Sequence, residues 1–391
     1  MWLLATATAA LGQDVSGTWV FVGDRLGLTE HNRAILTQSG EKITGEMPPN
    51  ARFEGTLKGG ALTLDLRQGE RSVAKLVGTL SGAGMRGDGT MFGAPVTWTA
   101  HRPAKRPEGA SRVHAFEPAI FYRVFSATAP PVLRIFSGDT VRTWSVDAGG
   151  RDAQGAARSP GGNPLTGPFY IEGALPGDVV AVKLNRVRLN RDTAGSGTGI
   201  VWNAVTPGYV RGLKDTPGFS GAWRLDRTRG VASLEKPSEK LKNYTVPLRP
   251  MLGCVALAPP RAQSISTGDS GRFGGNMDYN QIQEGTTVYL PVSQPGALLY
   301  VGDGHAAQGD GELTGDALET SMEIEFTVEV LENKRLGGPR AENDEFRMAI
   351  GIAGSLDQAM QLATSDLARW IEEDFKLNAN ESAIVLGTAV R

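Results

Sequence analysis

The sequence predicts a mainly β protein with some α, built as a small antiparallel β-barrel or sandwich followed by a larger, β-rich α+β domain. Three observations lead there. The 391 residues exceed what one hydrophobic core usually organises, so two domains are expected. The 51 glycines and 22 prolines punctuate short runs of β-branched and aromatic residues, a composition of strands and tight turns and not of a helical bundle. In the N-terminal part those runs recur at a spacing of about ten residues, as in an up-and-down meander.

The chain opens on small and apolar residues, and polarity begins at Gln13 and Asp14. Segment 1–13 resembles the end of a secretory signal, with Ala10 and Gly12 as the small residues before a cut, and implies an extracytoplasmic protein, periplasmic or secreted. Its basic leading region is missing, and an N-terminal strand or tail is the alternative reading. Residues 14–102 form the meander, with strands expected at 17–21, 34–38, 42–46, 52–57, 61–66, 74–80, 85–91 and 96–100. Trp19 and Trp98, in the first and last of these, read as core plugs at the two ends.

Residues 103–112 are Pro-rich and charged, the composition of a solvated linker. The second domain, 113–391, is expected to hold strands at 131–136, 140–146, 169–172, 178–184, 287–292 and 322–330, the last alternating acidic with apolar so that one face is wet. Ser355 with Gln358 three residues on starts a helix. Its stripe of Leu356, Ala359, Met360, Ala363, Leu367, Trp370 and Ile371 is expected to face the core. The chain stops just after a further apolar run, which reads as a truncated C-terminus.

Charge narrows the function classes. Forty basic and 42 acidic residues are interspersed to a net −2, so no basic footprint for nucleic acid exists. No stretch reaches the roughly 18 apolar residues of a spanning helix. The single cysteine, Cys254, sits in an apolar run and reads as a buried, inert thiol with no disulfide framework.

Chemistry concentrates at residues 302–312, where Asp303, His305, Gln308, Asp310 and Glu312 are interleaved with four glycines. Carboxylates and imidazole in Gly-rich backbone serve no packing purpose, because Gly weakens regular structure while permitting close approach and positive φ. The short apolar run 297–301 reads as the strand that carries this loop at its carboxyl end. Further polar positions gather beside glycines: Asp139 and Asp147 around 140–146, Asn163 and Glu172 in 162–174, and Asn276 with Asp278 in 274–278. Asp139 and Asp178 read as turn formers.

These segments resemble the acetamidase/formamidase family of small-amide hydrolases. The resemblance rests on 137–141, 163–168 leading to 171–174 and 176–178, 274–278, 290–292 and 302–312, and it spans roughly 113–391. It implies a β-rich catalytic domain, commonly oligomeric and trimeric in some members, and leaves the N-terminal barrel as an addition. Amide hydrolysis needs an activated water or nucleophile, donors for the oxyanion and an acid for the leaving amine. With no convincing serine motif, carboxylate and histidine chemistry remains, which fits a water activated by a divalent metal, zinc first and calcium as the alternative. Asp278, Asp303 and His305 are the expected ligands, with Asp147 as a further one. Glu172 or Glu312 would be the general base, with Asp310 orienting a ligand, and Asn276, Gln308 and Asn163 would contact the substrate. Related carbamate or ester hydrolysis, or a non-catalytic metal- or ligand-binding module, are the alternatives. The segment 193–245, with its Gly/Ser-rich 195–199, reads as a mobile loop whose Trp202, Tyr209 and Trp223 line a site or pack in the core.

Overall fold

The computed structural model describes residues 14–82, 84–212, 219–261 and 263–390. The signal-like segment 1–13 lies outside them. The chain divides into two compact units between Lys105 and Arg106.

The N-terminal unit is a closed barrel of eight strands: Gly17–Arg25, Leu28–Ser39, Lys42–Met47, Ala51–Lys58, Ala61–Gln68, Arg71–Ser81, Gly84–Met91 and Ala94–His101. Each strand pairs antiparallel with the next, and the first closes on the last. The strands outrun the apolar cores read from the sequence because exposed polar residues at their ends continue the ladder. The hairpin tips Leu26-Gly27 and Phe92-Gly93 have φ of 56° and 81°, and 51° and 81°, the left-handed pair that a two-residue turn needs to match strand twist. Inside, Phe21 stacks on Phe53 at 5.2 Å and on Trp98 at 5.6 Å. Trp19 is buried and donates its indole N–H to Val15 O at 2.7 Å. The cavity lined by Phe21, Phe53 and Trp98 measures about 20 Å³.

The start of the second unit is tied down by one buried carboxylate. Asp139 accepts from Arg106 Nη1 at 2.7 Å, from the backbone N–H groups of Arg112 and Phe136 at 2.8 and 2.9 Å, and meets His114 Nε2 at 3.0 Å. Burial works to raise this carboxyl, but those donors outweigh it and hold Asp139 well below the ordinary range.

Two sheets carry the second unit. Among the described residues, a seven-stranded sheet includes Thr140–Ser145, Val179–Leu189, Thr287–Pro291 and Met322–Leu331, and an eleven-stranded one includes Thr166–Glu172, Met251–Ala256, Gly274–Asn276, Leu299–His305 and the short Glu319–Thr320. Their inner faces share one core, in which Val182, Ile324, Phe326 and Val328 of the first meet Phe169, Leu252, Val255 and Leu299 of the second. Phe169 and Phe326 meet edge to face at 5.3 Å. Met322–Leu331 alternates as expected: its acidic residues point outward, where Arg142 and Arg186 pair with Glu325 and Glu323.

The helix Leu356–Phe375 begins at Ser355, whose hydroxyl accepts from Gln358 N. Its stripe is not core throughout. Only its C-terminal end is buried, where Trp370 and Ile371 pack and Arg340 pairs bidentately with Asp366 at 2.6 and 3.1 Å. Leu356 is 88% exposed and Met360 65% exposed. Met360 and the following helix Ala379–Ala389 wall an apolar groove of 730 Å³ that also includes Leu367, Val385 and Leu386. No helix among the described residues is long and apolar enough to cross a membrane.

Candidate active site

The Gly-rich segment is half strand. Leu299–His305 continues through Gly302, Asp303, Gly304 and His305, all buried, and the loop begins only afterwards. Its antiparallel partner Met251–Ala256 sets Leu252 opposite Gly304 and Cys254 opposite Gly302, and the ladder skips Gly253 and Asp303. Asp303 there has φ of 59°. The skip releases its carboxylate over Gly253, where a Cβ would lie 2.5 Å from Asp278 Oδ1, 2.9 Å from His305 Cε1 and closer still to Asp303 Oδ2. Only glycine leaves that space.

Asp278 enters from the end of Gly274–Asn276, and Glu312 from the loop beyond His305, with φ of 43° and 44°. Three of the site's carboxylates thus occupy backbone conformations that L residues avoid, each costing about 1–3 kcal/mol; such strain clusters where a site over-determines it. Glu319 arrives on the short strand beside Leu299–His305, paired across from His305.

These side chains converge. His305 Nε2 lies 3.3 Å from Asp303 Oδ1 and 3.2 Å from Glu319 Oε1. Asp278, His305 and Glu312 form one group, and Asp303, His305 and Glu319 another, with donor atoms within 4.8 Å of one another in each. Burial, then the neighbouring Asp303 and Glu312, pushes Asp278 up to about 8. Burial likewise raises Glu319 to about 7, against the pull of His305. Glu312 is raised by burial too, with His305 opposing. Burial disfavours a charged His305, but Asp303 and Glu319 outweigh it and push the imidazole well above its ordinary value. Asp278 Oδ1 and Glu319 Oε2 are buried without a hydrogen-bond partner. Crowded carboxylates with unanswered oxygens around one imidazole are the donor set of a hard divalent cation, so the residues fit such an ion.

The other expected residues divide. Asn163, Asn276 and Gln308 are beside the site and hydrogen-bonded to protein groups, while Asn163 Oδ1 is buried without a partner. Asn163 Nδ2 donates to Asn276 Oδ1, Asn276 Nδ2 donates to Asp278 Oδ2 at 2.7 Å, and Gln308 bridges His305 Nδ1 at 2.8 Å and the Asp278 carbonyl. Asp147 is one layer back: it takes Arg191 Nη2 at 2.6 Å, and that guanidinium also donates to Glu319 O. Asp310 is exposed and bonded to Asn280. Glu172 is a correction. The pairing of Thr166 with Val301 and Phe169 with Leu299 carries Glu172 beyond the far end of the site strand from His305, and there it pairs with Arg134 at 2.6 Å. Trp223 is core, whereas Trp202 is 75% exposed.

Sequence reasoning missed Glu319 and Gly253. Glu319 shares the odd-numbered parity of Glu323, Glu325 and Glu329 and passes for one more residue of a wet strand face. Gly253 is one apolar-run glycine among many, and only the close approach of Asp278, Asp303 and His305 marks it.

Residues 257–346 match the family model described as the acetamidase/formamidase family. Among curated proteins, one of Schizosaccharomyces pombe named as a formamidase is 27% identical over 212 residues, 43% of this chain and 52% of that protein. A formamidase of Methylophilus methylotrophus is 27% identical over 194 residues, 38% of this chain and 47% of its own length. The chain thus spans about half the length of the curated relatives it matches. In the solved structure of an acetamidase from Yersinia enterocolitica, similarity covers 72% of this chain and 87% of that one, with 29% identity and a TM-score of 0.59. Site motifs and these matches agree: the C-terminal unit of this chain is similar to proteins of the acetamidase/formamidase family.

Proposed function

We propose that the C-terminal unit hydrolyses the carbon–nitrogen bond of a small or short linear amide. The observation that supports this most is the buried convergence of Asp278, Asp303, His305, Glu312 and Glu319 with two carboxylate oxygens left without donors. A divalent cation held there, zinc or alternatively calcium, would supply a Lewis acid that polarises the amide carbonyl and acidifies a water.

The chain's own residues have separate tasks. Asp278, Asp303 and His305 would hold the cation, and Gly253 would leave it room. Glu312, at the loop side of the cluster and raised by burial, takes the proton from the attacking water and returns it to the departing nitrogen. Glu319, whose Oε1 lies 3.2 Å from His305 Nε2, adds a further carboxylate on the strand side of the cluster. Glu172 has no part in this mechanism. The test is ammonia release from formamide and acetamide, before and after chelation, with metal content measured on the same sample. Turnover unaffected by complete removal of metal would sink the cation's role. A bound metal with no turnover across amides, carbamates and esters would favour the non-catalytic module.

A homo-oligomer forms part of the proposal, because the apolar helical hairpin with Leu356, Met360 and Ile384 exposed offers the kind of face that monomers rarely leave open. Light scattering at micromolar concentration tests it. The extracytoplasmic location is also carried forward as a proposal, tested by fractionating cells that express the natural gene.

A further inference from the structure

Two carboxamide relays back the cluster, and each is oriented by an atom that can only accept. Gln308 Nε2 donates to the backbone carbonyl of Asp278. That leaves Gln308 Oε1 facing His305 Nδ1 at 2.8 Å, and an amide oxygen there can only accept. Nδ1 must therefore carry hydrogen, whether the ring is neutral or charged. On the other side, Asn163 Nδ2 points to the backbone carbonyl of Thr267 at 3.3 Å and to Asn276 Oδ1. Asn276 is thereby turned so that its Nδ2 donates to Asp278 Oδ2 at 2.7 Å. The remaining atoms are the ones that face inward: Asp278 Oδ1, buried without a donor, and His305 Nε2, between Asp303 and Glu319.

We infer that Gln308 and the Asn163–Asn276 pair are positioning residues that select which atoms of His305 and Asp278 meet a divalent cation, Nε2 of the first and Oδ1 of the second. The inference rests on the cation reading above but makes a claim about the metal-free protein as well. Gln308 also ties the two ligands to each other, because its two ends are bonded to His305 and Asp278. Selection of the histidine tautomer and ligand orientation by outer hydrogen bonds typically changes metal affinity by about 10–100-fold.

The chain holds four histidines, so nitrogen-15 histidine labelling gives a spectrum simple enough to follow His305 alone. In the metal-free protein, the Nδ1 proton of His305 should be observable and protected from exchange with water. On addition of zinc, Nδ1 should keep its proton while Nε2 becomes the coordinated nitrogen. Gln308→Leu should lose the protected proton and bind zinc about 10–100-fold more weakly, whereas Gln308→Glu keeps an acceptor and should keep the proton. If Gln308→Leu does not fold, Gln308→Met carries the same readout. Zinc on Nδ1 in the wild-type protein, or a protected Nδ1 proton that survives in the Leu variant, would overturn the assignment. If wild-type protein takes up no divalent cation, the cation reading falls, while the metal-free Nδ1 signal still decides the role of Gln308.

Discussion

The two units use the same strands for opposite ends. In the barrel every strand pairs with its sequence neighbour, the interior is filled by Trp19, Phe21, Phe53 and Trp98, and positive φ falls on the hairpin turns and on Gly17 at the start of the first strand. In the C-terminal unit the site strand Leu299–His305 lies between Met251–Ala256 and Glu319–Thr320, and left-handed backbone falls on Asp278, Asp303 and Glu312. One unit spends most of its polar residues on the surface; the other buries carboxylates around an imidazole and leaves two of their oxygens without a donor. A closed nearest-neighbour barrel has little need to store strain, whereas a site that gathers carboxylates from separated segments must hold each against both repulsion and backbone preference.

The largest expected effect breaks the comparison on the side of chemistry. Asp303→Ala with His305→Ala should lower amide turnover by about 10³-fold or more while the far-ultraviolet spectrum of the β structure is retained. Unchanged turnover would disprove the site. On the barrel side, Phe53→Ala should cost about 3–5 kcal/mol in denaturant unfolding of the N-terminal unit, since its 1% exposed ring is stacked on Phe21. Gly253→Ala should weaken zinc binding by about 10–100-fold in calorimetry, because its methyl would displace ligand atoms; undiminished affinity would refute the proposed cation seat.

A smaller effect has a definite sign. Asp278 at about 8 and Glu319 at about 7 are raised above their ordinary carboxyl values, and His305 is raised above its own. In the metal-free protein each therefore favours folding at low pH, and that contribution is lost as pH rises through the folded values. Calorimetry should show the metal-free C-terminal unit melting lower at pH about 8 than at about 5.5, with a divalent cation restoring more stability at the higher pH. A melting point that climbs over this range would contradict the cluster's electrostatics. The smallest effect sharpens the correction: Glu172→Gln should leave turnover within about twofold, since it removes only a surface pairing with Arg134.

These regions also differ in what the sequence discloses. All eight barrel strands were readable, because alternation and Gly turns repeat at short range. Several strands of the second unit were readable as well, but Met251–Ala256 and Gly274–Asn276 were not, nor which strands are neighbours, since that depends on contacts far apart in sequence. Asp278, Asp303, His305 and Glu312 stood out as charges beside glycines. Glu172 shared that local signature and failed, because its neighbourhood is set by register along Thr166–Glu172, a property invisible without the partner strand. Glu319 failed in reverse, hidden in the rhythm of a wet strand. The helix stripe misled because amphipathicity reports an apolar face without saying whether this chain covers it.

The nearest-neighbour order of the barrel has a bearing on synthesis. Its last strand, Ala94–His101, leaves the ribosome long before Met251–Ala256, and chain growth runs at about 5–20 residues per second. The barrel can close while the site does not yet exist. The cluster needs Gly253, Asp278, Asp303, His305, Glu312 and finally Glu319, so its carboxylates stay dispersed in water until their last member has been translated. Repulsion among them becomes a factor only when the site strand finds both neighbours, which makes assembly of the cluster a late event in the life of the nascent chain.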